Sequence, residues 1–145
     1  IDQGWIGWFC KKALEQKIAL NENKEIIPFT ISGTGKQVRD VLNAEDLVNL
    51  YICAYNKKDK ISGEIFNIGG GYKNSLSLIE LFEILENKLT LPKLNYLKIE
   101  RRKSDQDCFI ANIEKAKNII GWEPKISYSE GIESMLNWSK ELIGE

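Results

Sequence analysis

Two arginines stand out by their neighbours. Arg39 closes the run Gly33-Thr34-Gly35-Lys36-Gln37-Val38-Arg39-Asp40, in which a glycine-rich turn leads into a short β-prone segment. A guanidinium is planar, stays charged and presents a fork of donors that matches phosphate oxygens. Glycines let backbone approach a ligand closely. Arg102 lies in Glu100-Arg101-Arg102-Lys103-Ser104-Asp105-Gln106-Asp107, three cations followed by acids. That run could clamp a diphosphate while Asp105 accepts from sugar hydroxyls. Each feature has a plainer alternative: Arg39 paired with Asp40, Glu45 or Asp46, and the cations at 101–103 forming a solvated surface run. In isolation the plainer alternatives are the better readings.

The rest of the chain offers little further chemistry. Its 145 residues include no histidine, which removes the usual general base and the commonest metal ligand. Cys10, Cys53 and Cys108 are odd in number and widely spaced, so they define neither a disulfide framework nor a zinc site. Free thiols in a reducing cytoplasm are the simplest reading. Gly69-Gly70-Gly71 lacks the following Lys-Ser/Thr and the spacing of a phosphate loop, so it reads as a loop leaving a strand. Of Trp5, Trp8, Trp122 and Trp138, three read as structural, as core or interface anchors. Trp5, beside Gln3 and Gly4, is the candidate for stacking on a base. No pair of carboxylates is spaced for acid/base work, so no catalytic residue is assigned. A net charge of -1 gives no argument for nucleic acid or a membrane surface, and no apolar run approaches the roughly 20 residues of a membrane helix. The chain opens on Ile1-Asp2-Gln3-Gly4-Trp5, without Met and without a basic stretch before an apolar core. The opening does not read as a signal peptide, and we expect a piece of a larger protein.

The elements that must position these residues alternate in type. Trp5, Trp8, Phe9, Lys12 and Ala13 begin a helical pattern running to about Ala19, followed by a turn at 21–24. Ile26 to Ile31 is β-rich, with Pro28 suited to an edge or a strand start. Val38 to Leu42 is a short strand. Leu47, Leu50, Tyr51 and Ala54 recur at helical spacing, with Asn43 and Asp46 at the cap and first turn. Glu64 to Gly69 reads as a buried strand. Ser77 and Glu80 form a capping box before Leu78, Leu81, Phe82 and Leu85. Leu94 to Ile99 is another strand, and Ile113 to Ile120 a short helix closed by Gly121. Ser127 and Glu130 form a second capping box before a last helix carrying Ile132, Met135 and Leu136. The class is α/β, with short strands and about five helices.

In order along the chain, Gln37-Val38-Arg39-Asp40-Val41-Leu42, Ile65-Phe66-Asn67-Ile68-Gly69-Gly70, Arg102 with Asp105, and Lys115 through Gly121-Trp122-Glu123-Pro124 resemble the C-terminal half of extended short-chain dehydrogenase/reductases. These are the NAD-dependent nucleotide-sugar epimerases and dehydratases. Residues 2–9, 28–33 and 74–78, with Ser104-Asp105-Gln106, resemble the branch that epimerises CDP-sugars at C2. The resemblance covers essentially the whole chain. It implies that residues 1–145 are a single C-terminal nucleotide-sugar-binding domain of a Rossmann-type enzyme. The N-terminal dinucleotide-binding domain, with its GxxGxxG loop and Tyr-x-x-x-Lys pair, is absent from these residues, so NAD would bind outside this chain. Val38–Leu42 and Ile65–Gly69 would then join the sheet of that missing domain.

The resemblance also implies roles. Arg39 and Arg102 would contact the diphosphate, and Asp105 would accept from ribose hydroxyls. Pro28, Phe29 and Thr30 would offer backbone groups and an aromatic side chain to the base, while Gln3, Gly4 and Trp5 would pass beside the sugar nucleotide. Asp40 and Asp46 would hold the fold. The implied ligand is a CDP-sugar, with UDP- or dTDP-sugars as alternatives. The implied parent is a cytoplasmic homo-oligomer that epimerises CDP-sugars by transient oxidation at C2, the chain alone being inactive. A non-catalytic nucleotide-binding module is the further alternative.

Overall fold

A computed structural model describes residues 4–144. Along them run α1 (Trp5–Asn21), β1 (Phe29–Ser32), β2 (Val38–Asp40), α2 (Ala44–Asn56), α3 (Lys58–Ile61), a 3-10 turn (Tyr72–Asn74) and β3 (Ser75–Ser77). Then come α4 (Leu78–Leu89), β4 (Tyr96–Ile99), β5 (Cys108–Phe109), a π-helical turn (Ala116–Ile120) and α5 (Tyr128–Ile143). The expected α/β class with short strands is the observed one. The residues group into two compact units, one holding residues up to Gln37, Ser77–Asp107 and Ile132 onward, the other Val38–Leu76 and Cys108–Gly131.

The first unit is built on β1 and β4, which pair in parallel with Phe29 opposite Tyr96 and Ser32 opposite Ile99. Pro28 stands just before β1, where a missing N–H does no harm. Helices α1 and α4 pack on each other. Cys10, Ala13 and Leu14 of α1 and Leu81, Phe82 and Leu85 of α4 are buried. Phe9, Phe29, Phe82 and Tyr96 form a continuous aromatic cluster with ring centroids 5.0–5.9 Å apart. Two buried polar side chains lock the approach to β4. Gln16 donates to the Asn95 carbonyl (2.8 Å) and accepts from its N–H (2.8 Å). Glu86 accepts from the Leu94 N–H (2.9 Å) and the Lys93 ammonium (2.7 Å). α4 starts where Ser77 accepts from the Glu80 N–H while Glu80 accepts from Ser77, the expected capping box.

In the second unit β2 lies between β3 and β5, with Val38 opposite Cys108 in a parallel pairing. Leu50, Ala116, Ile120 and Trp122 form its core, with Leu42, Leu47, Ala54 and Phe66 packed around them. Two acids hold it together. Asp40 Oδ2 accepts from the N–H groups of Gly71 (3.0 Å) and Ala111 (3.2 Å), tying β2 to two loops. Asp46 is buried in the first turn of α2 and accepts from the N–H groups of Lys125 (3.0 Å) and Ile126 (2.9 Å). Its own carbonyl takes the Trp122 indole N–H at 3.0 Å. Asn43 caps α2 as expected.

Two expectations differ from the structure. Glu64–Gly69 belongs to neither sheet, and Ile65 is 84% exposed. Phe66 faces the core and Lys115 donates to the Ile65 carbonyl, but no described strand lies beside the segment to pair with it. Helix α2 is apolar on two faces rather than one. Leu47, Leu50 and Ala54 face the core, whereas Val48, Tyr51, Ile52 and Tyr55 are exposed. Tyr51, expected inside by its spacing, lies on the outer face.

Candidate functional site

The richest polar constellation lies in the first unit, where the turn after β1 meets the loop after β4. Gly33 donates to the Ile99 carbonyl at 3.0 Å. The Ser32 hydroxyl donates to the Glu100 carbonyl and accepts from the Arg102 N–H, both at 3.2 Å. Gln37 donates through Nε2 to the Ser32 carbonyl (3.2 Å) and to Asp105 Oδ2 (3.1 Å). The three consecutive cations do not act alike. Arg101 closes its own loop, donating to the Asp105 carbonyl at 2.6 Å and pairing with Asp107. The Arg102 side chain is exposed and has no hydrogen-bond or ion-pair partner among the described residues. Asp105, half-buried, is gripped at its main chain by Arg101 and at its carboxylate by Gln37. A loop so tied holds an accessible guanidinium and a carboxylate, the donor and acceptor that a phosphate and a sugar hydroxyl require.

Arg39 belongs to the second unit. It is half-buried on β2, and its Nη1 donates to the Val38 carbonyl at 2.7 Å. Asp40 and Asp46, two of the acids named above as its plainer partners, accept from backbone N–H groups. The nearby glycines are structural. A Cβ on Gly70 would run into the carbonyl of Val41, and one on Gly69 into the Asp40 carboxylate and the Ala111 Cβ. Neighbouring atoms stand where a side chain would begin at both positions, so the run packs as it does only with glycine there.

Gln3 lies outside the described residues. Gly4 opens α1 with φ +85, and Trp5, half-buried, is the first residue of that helix. Thr30 is exposed on β1. The Phe29 ring is buried in the aromatic cluster, stacked on Tyr96 at 5.9 Å. A ring so enclosed cannot stack on a base, so this segment has backbone and Thr30 to offer. Burial pushes the Cys10 thiol up to about 12, far from a reactive thiolate. No group of three His, Cys, Asp or Glu among the described residues could hold a metal, and no described helix is long and apolar enough to cross a membrane. Ser32, Gln37 and Arg101 lie inside runs that the sequence singles out, but none of the three is assigned a role there. Their roles come from bonds to residues up to 70 positions away.

Residues 9–135 match the family described as GDP-mannose 4,6 dehydratase. The chain is 48% identical over 141 residues to the CDP-paratose 2-epimerase of Salmonella typhi, covering 97% of this chain and 40% of that protein. It is 38% identical over 117 residues to the UDP-glucuronate 4-epimerase of Thermodesulfobacterium geofontis, covering 80% of this chain and 34% of that one. The crystal structure of UDP-glucuronic acid 4-epimerase from Bacillus cereus, in complex with UDP-glucuronic acid and NAD, is similar with a TM-score of 0.74 at 27% identity. That match covers 90% of this chain and 40% of the solved one, so the chain spans between about a third and two fifths of the length of these relatives.

Proposed function

This chain belongs to the NAD-dependent epimerase/dehydratase family, and we propose that it is the part of a nucleotide-sugar epimerase that grips the nucleotide. The observation that carries this reading is the loop at 100–107, which closes on itself through Arg101 while leaving Arg102 accessible beside a fixed Asp105. Arg102 binds the diphosphate and Asp105 accepts from the ribose, with Arg39 as a further diphosphate contact. Gly4, Trp5, Pro28 and Thr30 are the remaining assignments near the sugar nucleotide. Grip far from the reacting carbon is functional, because remote binding energy positions the sugar for reaction.

The substrate we assign is a CDP-sugar and the reaction 2-epimerisation of CDP-paratose, on the strength of the greater similarity to the CDP-paratose enzyme. NAD supplies the hydride chemistry in such a protein, held by residues outside this chain. Those residues also account for the outer face of α2 and the unpaired 64–69 segment. A helix apolar on both sides is covered on both, and an extended segment without a neighbour is an edge waiting for a strand.

The test uses the full-length protein. CDP-sugars should raise its melting temperature more than UDP- or dTDP-sugars do, and a UDP or dTDP preference would move the assignment to a 4-epimerase or a 4,6-dehydratase. Arg39→Ala and Arg102→Ala should each weaken nucleotide binding by about 1.5–3 kcal/mol, the worth of a charged hydrogen bond. Unchanged affinity in both variants would return the two arginines to the surface.

A further inference from the structure

The amide of Gln37 is oriented by its partners. Its Nε2 faces the Ser32 carbonyl at 3.2 Å and Asp105 Oδ2 at 3.1 Å. A carbonyl and a carboxylate only accept, so nitrogen must face them and oxygen must face away. Facing away, Oε1 is buried with no hydrogen-bond partner. An unpaired buried carbonyl is a cost that an apolar side chain of the same length would not carry. The side chain is therefore suited to what its nitrogen does rather than to stability alone.

The backbone around it is shaped to admit the amide. Gly33 has φ +76, and a Cβ there would stand 2.7 Å from Gln37 Nε2 and 3.4 Å from the Arg101 stem. A side chain at position 33 would push the Gln37 amide off its place while meeting Arg101 at ordinary contact distance. The bond from Gln37 fixes one carboxylate oxygen, Oδ2, of Asp105.

We propose that Gln37 is a positioning residue for Asp105, holding the carboxylate in the orientation that reads the ribose hydroxyls of the bound nucleotide. The inference rests on the assignment of Asp105 to the ribose given above. Pre-organising the acceptor removes the cost of freezing its rotamer on binding. Gln37 thereby contributes to discrimination between ribose and deoxyribose without touching the ligand.

The experiment measures the affinity of the full-length protein for CDP and for its 2′-deoxy and 3′-deoxy analogues by calorimetry. The wild-type protein should prefer CDP over at least one analogue by about tenfold or more, the scale of one charged hydrogen bond. Asp105→Ala should abolish that preference, and Gln37→Leu should remove most of it while weakening the deoxy analogue little. The double variant should be no worse than Asp105→Ala, since two residues acting as one unit are not additive. If Gln37→Leu folds poorly, Gln37→Met, unbranched and similar in length, replaces it. A merely structural glutamine would lower both affinities together and leave the ratio intact. That result, or an unchanged ratio alongside a lost one in Asp105→Ala, overturns this inference and leaves the ribose assignment standing. A preference that survives Asp105→Ala overturns both.

Discussion

Replacing Asp46 should separate a charge that holds the fold from one that meets a ligand. The residue is 3% exposed and gives one carboxylate oxygen to each of two backbone N–H groups, at 3.0 and 2.9 Å. Asp46→Ala leaves both donors without an acceptor. Two charge-assisted bonds at about 1.5 kcal/mol each come to ~3 kcal/mol, or a shift of roughly a hundredfold in the folding equilibrium. The Trp122 indole bond goes to the Asp46 carbonyl, so it survives the substitution and does not enter the sum. At an m value of about 2 kcal/mol/M, urea unfolding followed by far-ultraviolet circular dichroism should show a midpoint lowered by about 1.5 M. Asp46→Asn keeps one accepting oxygen and turns an amide donor toward the other N–H, so it should recover only part of the loss. Both variants unfolding within about 0.5 kcal/mol of the original, the scatter of ordinary surface changes, would refute the reasoning. So would Asn and Ala variants that unfold alike.

Gly70→Ala should be among the most damaging substitutions, costing about 3 kcal/mol or more, because its methyl group would overlap the Val41 carbonyl and approach the Asn74 Cβ to 2.8 Å. Thermal unfolding checks it. The Glu80 carboxyl is held below its ordinary 4.5 by the Ser77 N–H and hydroxyl. Its contribution is therefore present above that value and lost as pH falls through the lower folded one. Glu80→Gln should flatten this part of the acid limb in a stability–pH series, and Ser77→Ala should cost about 1 kcal/mol at neutral pH. Cys108 is exposed, whereas Cys10 is buried with its thiol pushed up to about 12. Mass spectrometry after brief iodoacetamide treatment at mildly alkaline pH should find Cys108 modified and Cys10 intact.

What local chemistry governs could be read in advance. The capping boxes at Ser77–Glu80 and Ser127–Glu130 need only residues three apart, and both form. Gly121 closes its turn at φ +74, as a residue after a helix and before a proline should. The 64–69 segment shows the opposite case. Ile65, Phe66 and Ile68 have the composition of a buried strand, but burial requires a neighbour, and no described strand supplies one. The outer face of α2 failed for the same reason, since spacing tells which residues share a face and not what covers it.

Neighbouring charges in this chain divide along a line that residue type does not draw. Arg39 and Asp40 are adjacent, as are Arg101 and Arg102, yet within each pair the structure gives the two members different tasks. On a strand, neighbours point to opposite faces, so Asp40 can reach the N–H groups of Gly71 and Ala111 while Arg39 lies along the other side. In the loop after β4, Arg101 folds back onto Asp105 and Asp107, and that closure turns Arg102 outward. Composition alone assigned all of these to a solvated surface run or to mutual pairing. The deciding contacts come from Ser32 and Gln37, about seventy residues from the loop they organise. The grip proposed for the loop at 100–107 depends on uncharged residues to keep its charges apart. The sharpest probes of the site are therefore the glutamine and serine behind it, because they alter the presentation of Arg102 and Asp105 without removing either.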